Sequence, residues 1–240
     1  VSGLFGPLLG DGIDGLLSLA PGSVSLVLSD LPSGDTVAEF DKPPDLARLW
    51  PAVWHALKDT GVVVFFASSI RFAAAVIASQ PKRFRYDLVW EKSLAVGFLN
   101  ARKRPLRSHE FILVFSRGAS TFNPQFVETG VPISLARRGN AGCSENWGKW
   151  TKYTTSRTGA TDRYPRSVLR FGSLGTRDKR RVHPQQKPVD LLRNLVRQYS
   201  TKGELVVDPY AGSGSTLQAA REEGRDAIGW DSSERFARPA

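Results

Sequence analysis

Apolar residues along this 240-residue chain fall into short runs separated by glycine, proline and aspartate, and the runs switch between strand-like and helix-like spacing. Residues 24–28 form the first run, preceded by Pro21 and Gly22 and followed by Ser29 and Asp30, which predicts a buried strand with a carboxylate at its C-terminal end. Leu46, Leu49, Trp50, Val53 and Leu57 then recur at helical spacing; Asp45 can cap that helix, and Gly61 is expected to stop a segment over residues 45–58. A strand over 62–66, a helix over 70–79 ended by Pro81, and strands over 86–90 and 111–115 follow. Between about residues 118 and 182 the periodicity is lost among Gly, Ser, Thr, Arg and Lys, so this stretch reads as an irregular insertion or small subdomain. Regular structure returns with a helix over 188–199 starting at its proline, a strand over 205–207 ending in Asp208, a helix over 216–223 and a strand over 227–230 ending in Asp231.

This alternation predicts an α/β fold, a Rossmann-like and mostly parallel sheet with helices on both faces. Ligands of such sheets sit in the crevice outside the carboxyl ends of the strands, where Asp30, Asp208 and Asp231 all fall.

Composition narrows the class. Hydrophobic content of 41% can build a core, and the mixed charge, 23% of residues, excludes a disordered tail. No apolar run approaches the ~20 residues of a membrane span, and the first residues lack the basic start of a secretory signal. The single cysteine, Cys143, excludes a disulfide framework and a cysteine-ligated zinc site, so a cytoplasmic protein is expected. Thirty-three basic against 23 acidic residues leave a net charge of +10. The surplus is local: residues 82–107 hold eight basic and two acidic side chains, and residues 118–181 twelve and four. Tyr86, Trp90, Phe98, Phe122, Trp147, Trp150, Tyr153 and Tyr164 are interleaved with them, a pattern that suits nucleic acid because cations neutralise phosphates while rings contact bases.

Gly212 and Gly214 mark a tight turn between the strand ending in Asp208 and the next helix, where a ligand can approach the backbone. Leu217 stands where the dinucleotide fingerprint needs its third glycine, which weakens a pyrophosphate-binding, nicotinamide-dependent reading. Asp231 can accept both hydroxyls of a ribose, so an adenosine-type ligand without pyrophosphate fits. A plain junction whose aspartates cap helices is the alternative.

Here the residues carry a resemblance. Asp208-Pro209-Tyr210-Ala211-Gly212-Ser213-Gly214-Ser215-Thr216 resembles the D-P-F-x-G-S-G-T motif of the amino-methylating DNA methyltransferases, and His183-Pro-Gln-Gln186-Lys187-Pro188 is similar to their H-P-x-Q-K-P segment. The stretch from Leu9 to Asp30-Leu31-Pro32-Ser33 resembles the lead-in to their catalytic D-P-P-Y motif, and Asp87-Leu-Val-Trp-Glu-Lys and Leu106-Arg-Ser-His-Glu-Phe also look familial. The order of motifs matches the β group of that family, found in restriction-modification systems and phages. It implies a catalytic half over residues 1–117, a target-recognition region over 118–182 and a cofactor-binding half over 183–240.

The resemblance implies S-adenosyl-methionine as cofactor and double-stranded DNA as substrate, with the target base flipped out of the duplex. Asp30 and the Leu31 carbonyl, stiffened by Pro32, would accept the N–H bonds of an exocyclic amine and localise its lone pair. His183, Gln186, Lys187 and Pro188, with residues 208–216 and Asp231, would hold the cofactor. An initial aspartate favours adenine N6, with cytosine N4 as the alternative. Leu31 and Ser33 depart from the family pattern, and Ser33 removes an aromatic platform whose stacking is worth roughly 1 to 3 kcal/mol. Either another ring such as Phe72, Trp90 or Phe98 replaces it, or Ser33 was engineered, or the chain is a weak or inactive DNA-binding relative. Arg102, Lys103, Arg104 and Arg107, with Arg137 and Arg138, are expected to meet phosphate. The His109-Glu110 pair is expected to shape the substrate pocket rather than hold metal, since a second ligand spacing is missing. His55 is expected to be structural and Cys143 not to be a nucleophile. A homodimer is plausible by family analogy.

Overall fold

A computed structural model describes residues 6–36, 41–133, 138–146, 148–151, 153–154, 157–173, 186–234 and 236–237. Their chain separates into two units, one formed by residues 1–123 and 167–240, the other by Pro124–Arg166.

The larger unit is built on an eight-stranded sheet. In chain order its elements are β1 (Leu8–Leu9), α1 (Gly12–Ser18), β2 (Val24–Asp30), α2 (Leu46–Ala56), β3 (Leu57–Ala67), α3 (Ile70–Ser79), β4 (Phe84–Val96) and β5 (Arg107–Ser116). Six short strands of the smaller unit follow, β6 (Val127–Glu128), β7 (Arg138–Gly139), β8 (Gly142–Ser144), β9 (Gly148–Trp150), β10 (Tyr153–Thr154) and β11 (Asp162–Arg163), pairing as β6 with β11, β7 with β10 and β8 with β9. The larger unit resumes with β12 (Val168–Phe171), α4 (Val189–Tyr199), β13 (Leu205–Asp208), α5 (Ser215–Glu222) and β14 (Asp226–Asp231). Strand order across the sheet is β1-β14-β13-β2-β3-β5-β4-β12, and β5 alone runs antiparallel to its neighbours.

Side-chain alternation explains why both faces are covered. Val63 and Phe65 of β3 and Val27 of β2 pack with Leu49, Trp50 and Val53 of α2 and Val76 of α3. Val62, Val64 and Phe66, with Leu26 and Leu28, point the other way onto Leu191, Leu192, Leu195 and Val196 of α4. Helices on both faces let strands be apolar at every position, and β2 is buried over all but its last residue. The chain moves outward from β2 to β3, then returns to place β13 on the other side of β2. A crevice opens where that order reverses, at the ends of β2 and β13.

Several expected boundaries shift. The second helix ends at Ala56 rather than running to 58, and Gly61 lies inside β3 instead of stopping a helix. Leu57 pairs with Val24 in the sheet, and its full burial suits either reading, which is why its helical spacing misleads. Residues 168–171, taken as part of the irregular stretch, form a strand because they pair in parallel with β4 and bury Leu169. Pro188 caps α4 rather than opening it. The α1 helix was not anticipated; the Asp11 carboxylate accepts the Ile13 and Asp14 amides at 2.7 and 3.2 Å and starts it.

Trp50 clamps the first layer. It stacks on Trp54 with ring centroids 5.4 Å apart, lies 4.9 Å from Phe115, and donates its indole N–H to the Ser79 hydroxyl at 2.8 Å. Replacing Trp50 with Ala should therefore cost about 3 to 5 kcal/mol in urea unfolding. A loss below about 1 kcal/mol would show that the helix is held by other contacts.

Candidate active site

Three strands deliver carboxylates to one edge of the sheet. Asp30 ends β2, Asp208 ends β13 and Asp231 ends β14, and the cleft they line also takes in Gly10, Gly12, Gln186, Lys187 and the turn over 209–216 apart from Gly214. The turn is held from several sides. Asp231 accepts the Gly212 amide at 3.0 Å and the Ser233 amide at 2.8 Å, while the Ala211 amide donates to the Trp230 carbonyl at 2.9 Å. A Cβ on Gly12 would stand 1.9 Å from the Pro209 carbonyl oxygen, so α1 can seat against the turn only through a glycine. Nothing lies within 4 Å of a Cβ position on Gly212, whose φ is +48°, and its backbone is open to the cleft.

Asp208 is 3% exposed and accepts the Ser29 hydroxyl at 2.7 Å and the Tyr210 amide at 3.1 Å. Burial pushes its carboxyl up to about 6, against those donors and Thr216, with the charge of Asp30 adding to the rise.

Asp30 has a partner that its position in sequence does not announce. The Lys187 ammonium donates to Asp30 Oδ2 and also stands 3.3 Å from Glu110 Oε2 of β5. The other Glu110 oxygen accepts the Lys92 ammonium of β4. Burial raises the Asp30 carboxyl, Lys187 opposes that, and Glu110 adds to it, leaving a net rise. Burial alone would lower the Lys187 ammonium; the two carboxylates outweigh it and hold the lysine charged. In Glu110 the two lysines outweigh burial and keep the carboxyl low.

The turn after Asp30 explains the departures from the motif. Leu31 is 4% exposed and belongs to the apolar core, so burial anchors a position that the family holds with a proline. Asp41 accepts the amides of Ser33, Gly34 and Thr36 at 2.7, 3.0 and 2.8 Å, and the Ser33 hydroxyl lies 2.9 Å from that of Ser68. Of the rings considered as a replacement platform, Phe72 and Trp90 are committed to the cores at 7% and 3% exposure. Phe98 is 80% exposed. The rings that line the cleft are instead Phe66, Tyr210 and Phe236.

The cleft gathers Asp30, Pro32, Gln186, Lys187, Asp208, Pro209, Tyr210, Gly212, Ser213, Ser215, Thr216 and Asp231 from the expected set. Leu31, Ser33, Pro188 and Gly214 support it from outside its lining, and Gly214 takes φ +75° at the N-cap of α5. Arg102, Lys103 and Arg104 are exposed between β4 and β5, and that connection leaves the sheet at the same edge as Asp30. Arg107 begins β5 and donates to the His109 carbonyl at 3.3 Å, while His109 meets Phe111 edge-on with centroids 5.4 Å apart. His183 and Arg137 lie outside the described residues, as does the side chain of Arg138. No group of three or more potential metal-ligating side chains occurs among the described residues. Among them, too, no helix is long and apolar enough to cross a membrane.

Because the folded value of Asp208 lies above its ordinary 3.8, the stability it contributes is complete below that value and is lost as pH rises through about 6. Relative to Asp208→Asn, the unfolding free energy of the unaltered protein should fall by about 2 kcal/mol between pH 4 and pH 7. Urea titrations across that range check it, and a constant difference would mean an ordinary carboxylate.

Comparison with known proteins follows the same lines. Residues 45–240 match the N6_N4_Mtase family, a DNA methylase family. The Type II methyltransferase M1.MboII of Moraxella bovis is 25% identical over 238 residues, spanning 91% of this chain and 88% of that protein. The M1.HpyAVI–SAM complex shares the fold with a TM-score of 0.64 at 18% identity, covering 96% of this chain and 94% of that one. PvuII DNA methyltransferase, which is cytosine-N4-specific, gives a TM-score of 0.63 at 17% identity, covering 95% and 82%. The family match covers the larger part of the sequence, including the strand-end carboxylates Asp208 and Asp231, and the chain belongs to the N6_N4_Mtase family of DNA methylases.

Proposed function

We propose that this protein transfers a methyl group from S-adenosyl-methionine to the N6 amino group of adenine, presented as a flipped-out base of double-stranded DNA. The observation that carries this reading is the position of Asp30, at the reversal point of the sheet and on the wall of a cleft that continues to Asp208 and Asp231. The cleft suits the cofactor because the Gly212 backbone is open to a ligand and Asp231 presents a partly exposed carboxylate toward which ribose hydroxyls can donate. When bound, S-adenosyl-methionine supplies a sulfonium methyl whose carbon–sulfur bond breaks as the carbon–nitrogen bond forms.

The chain's own residues then have defined tasks. An exocyclic amine is a poor nucleophile because its lone pair is delocalised into the ring, and acceptors for its N–H bonds favour the pyramidal form. Asp30 and the Leu31 carbonyl are those acceptors, and burial of the Leu31 side chain fixes the turn that carries both. Residues 118–182 would read the target sequence, and the exposed basic group at 102–104 would neutralise phosphates beside the cleft. Adenine is favoured over cytosine by the aspartate at position 30.

Labelled methyl transfer to unmethylated genomic DNA, followed by nucleoside separation, tests the reading. Label is expected in N6-methyladenine and should disappear in Asp30→Ala; label in N4-methylcytosine would reassign the base, and none despite DNA and cofactor binding would indicate a non-catalytic relative. Ser33→Tyr should tighten capture of the flipped base by about tenfold if a platform is missing. Replacing Arg102, Lys103 and Arg104 together by Ala should reduce the slope of log affinity against log salt by roughly 2 to 3, measured by fluorescence anisotropy on a duplex. An unchanged slope would place that connection away from the DNA.

A further inference from the structure

The buried charges behind Asp30 form a set that the methyl-transfer chemistry alone does not call for. Lys187, Glu110 and Lys92 have side chains 9%, 11% and 12% exposed, and they come from the segment before α4, from β5 and from β4. Glu110 is tethered on one side, its Oε1 accepting the Lys92 ammonium. Its Oε2 is buried, accepts no hydrogen bond, and faces Lys187 Nζ at 3.3 Å in an ion pair. Lys187 thus has one carboxylate that it already bonds, Asp30, and a second within reach of a displacement of a few tenths of an ångström.

We propose that Glu110, seated by Lys92, is a positioning residue that takes over the Lys187 ammonium when the substrate amine engages Asp30. This rests on the reading of Asp30 as the acceptor of that amine. The physical need is plain. An Asp30 oxygen bound to an ammonium is a weakened acceptor, because its negative charge is already compensated at contact distance. Removing the lysine altogether would take away the nearest charge that opposes burial, and the Asp30 carboxyl would rise further. A lysine shared between two carboxylates meets both requirements: it opposes the rise that burial imposes on Asp30, then turns to Glu110 without leaving the buried site. No proton needs to move for this exchange, and the four charges sum to zero in both arrangements.

Every charged group facing Asp30 enters the test: Lys187 from the segment before α4, Glu110 from β5, Lys92 from β4 and Asp208 from β13. Glu110→Gln removes a negative charge near Asp30 and leaves Lys187 no second carboxylate, only a neutral amide oxygen. The Asp30 carboxyl should then titrate lower by about 1 pH unit, and kcat should fall by about 10- to 100-fold while KM for S-adenosyl-methionine stays within about twofold. Lys187→Met should move the Asp30 titration in the opposite direction by at least as much. Both shifts are read without turnover, by carbon-13 NMR of the Asp30 carboxyl in the full-length protein, assigned through its loss in Asp30→Asn. The acid limb of the rate profile should follow them.

Opposite shifts with a kcat defect in Glu110→Gln support the exchange; a Glu110 that acts only as a fixed charge would shift the titration and leave kcat within about twofold, which overturns the exchange. Should Lys187→Met fail to fold, Glu110→Gln and Lys92→Met decide the matter, since freeing Glu110 from Lys92 should reduce kcat in the same sense. Titration shifts in a protein that transfers no methyl would uphold the charge coupling and overturn the enzymatic reading. Unmoved titration with normal kcat in folded Glu110→Gln overturns the proposal and leaves the methyltransferase reading standing.

Discussion

Desolvated charge at the reversal point of the sheet is the constraint on which this edge of the molecule depends. Moving a carboxylate or an ammonium out of water costs several kcal/mol even after relaxation, and only close pairing offsets it. Asp30 and Lys187 meet that condition directly, and Glu110 and Lys92 complete it. An apolar set of similar volume would hold the four elements together at least as well, so the charges are better explained by chemistry than by stability. They also tie the two ends of the sequence: Asp30 lies 157 positions before Lys187, and the pair exists only because the strand order reverses beside β2. The Ser29 hydroxyl on Asp208 is a second link of the same kind, one residue away.

The turn after β2 is held by contacts other than those that the family pattern supplies. A proline at position 31 would stiffen the backbone; Leu31 achieves the same placement by inserting its side chain into the core. Asp41 then satisfies three amides of the loop, those of Ser33, Gly34 and Thr36, that would otherwise need water, fixing the direction in which the chain leaves Asp30. Ser33 contributes its amide to Asp41 and stands beside Ser68, and neither contact requires a ring.

The strands and their terminal aspartates were legible because buried parallel strands are short apolar runs and because carboxylates at their ends break those runs abruptly. The Gly212–Gly214 turn was legible for the same local reason. What escaped was non-local. Lys187 read as a neighbour of the cofactor, and it does line the cleft, yet its ammonium is spent on Asp30; no local pattern could join positions 30, 92, 110 and 187. Glu110 drew notice only as half of a His-Glu pair, while its real partners are two lysines. Leu57 and residues 168–171 were misread because a fully buried residue satisfies helical and strand patterns alike, and because a four-residue edge strand is defined by its neighbour rather than by its own sequence. Gly12 gave no signal at all, since the need for a missing side chain arises only when the Pro209 carbonyl arrives from the far end of the chain.

The distribution of charge resolves an apparent conflict at the functional edge. The chain as a whole carries +10, yet among the described residues the cleft is lined by Asp11, Asp30, Asp208 and Asp231 against one cation, Lys187. A cationic small molecule such as a sulfonium is therefore favoured in the cleft, while the exposed basic side chains between β4 and β5 offer a polyanion a separate cationic surface. Two ligands of opposite charge can thus approach the same edge without competing for the same groups. Asp30 is where the two fields meet: it faces the acidic interior of the cleft and, in the function proposed above, is the acceptor for the amine of the base. Its own charge must consequently be sustained within a buried setting yet remain available, and the lysine held between two carboxylates is the arrangement that reconciles those demands.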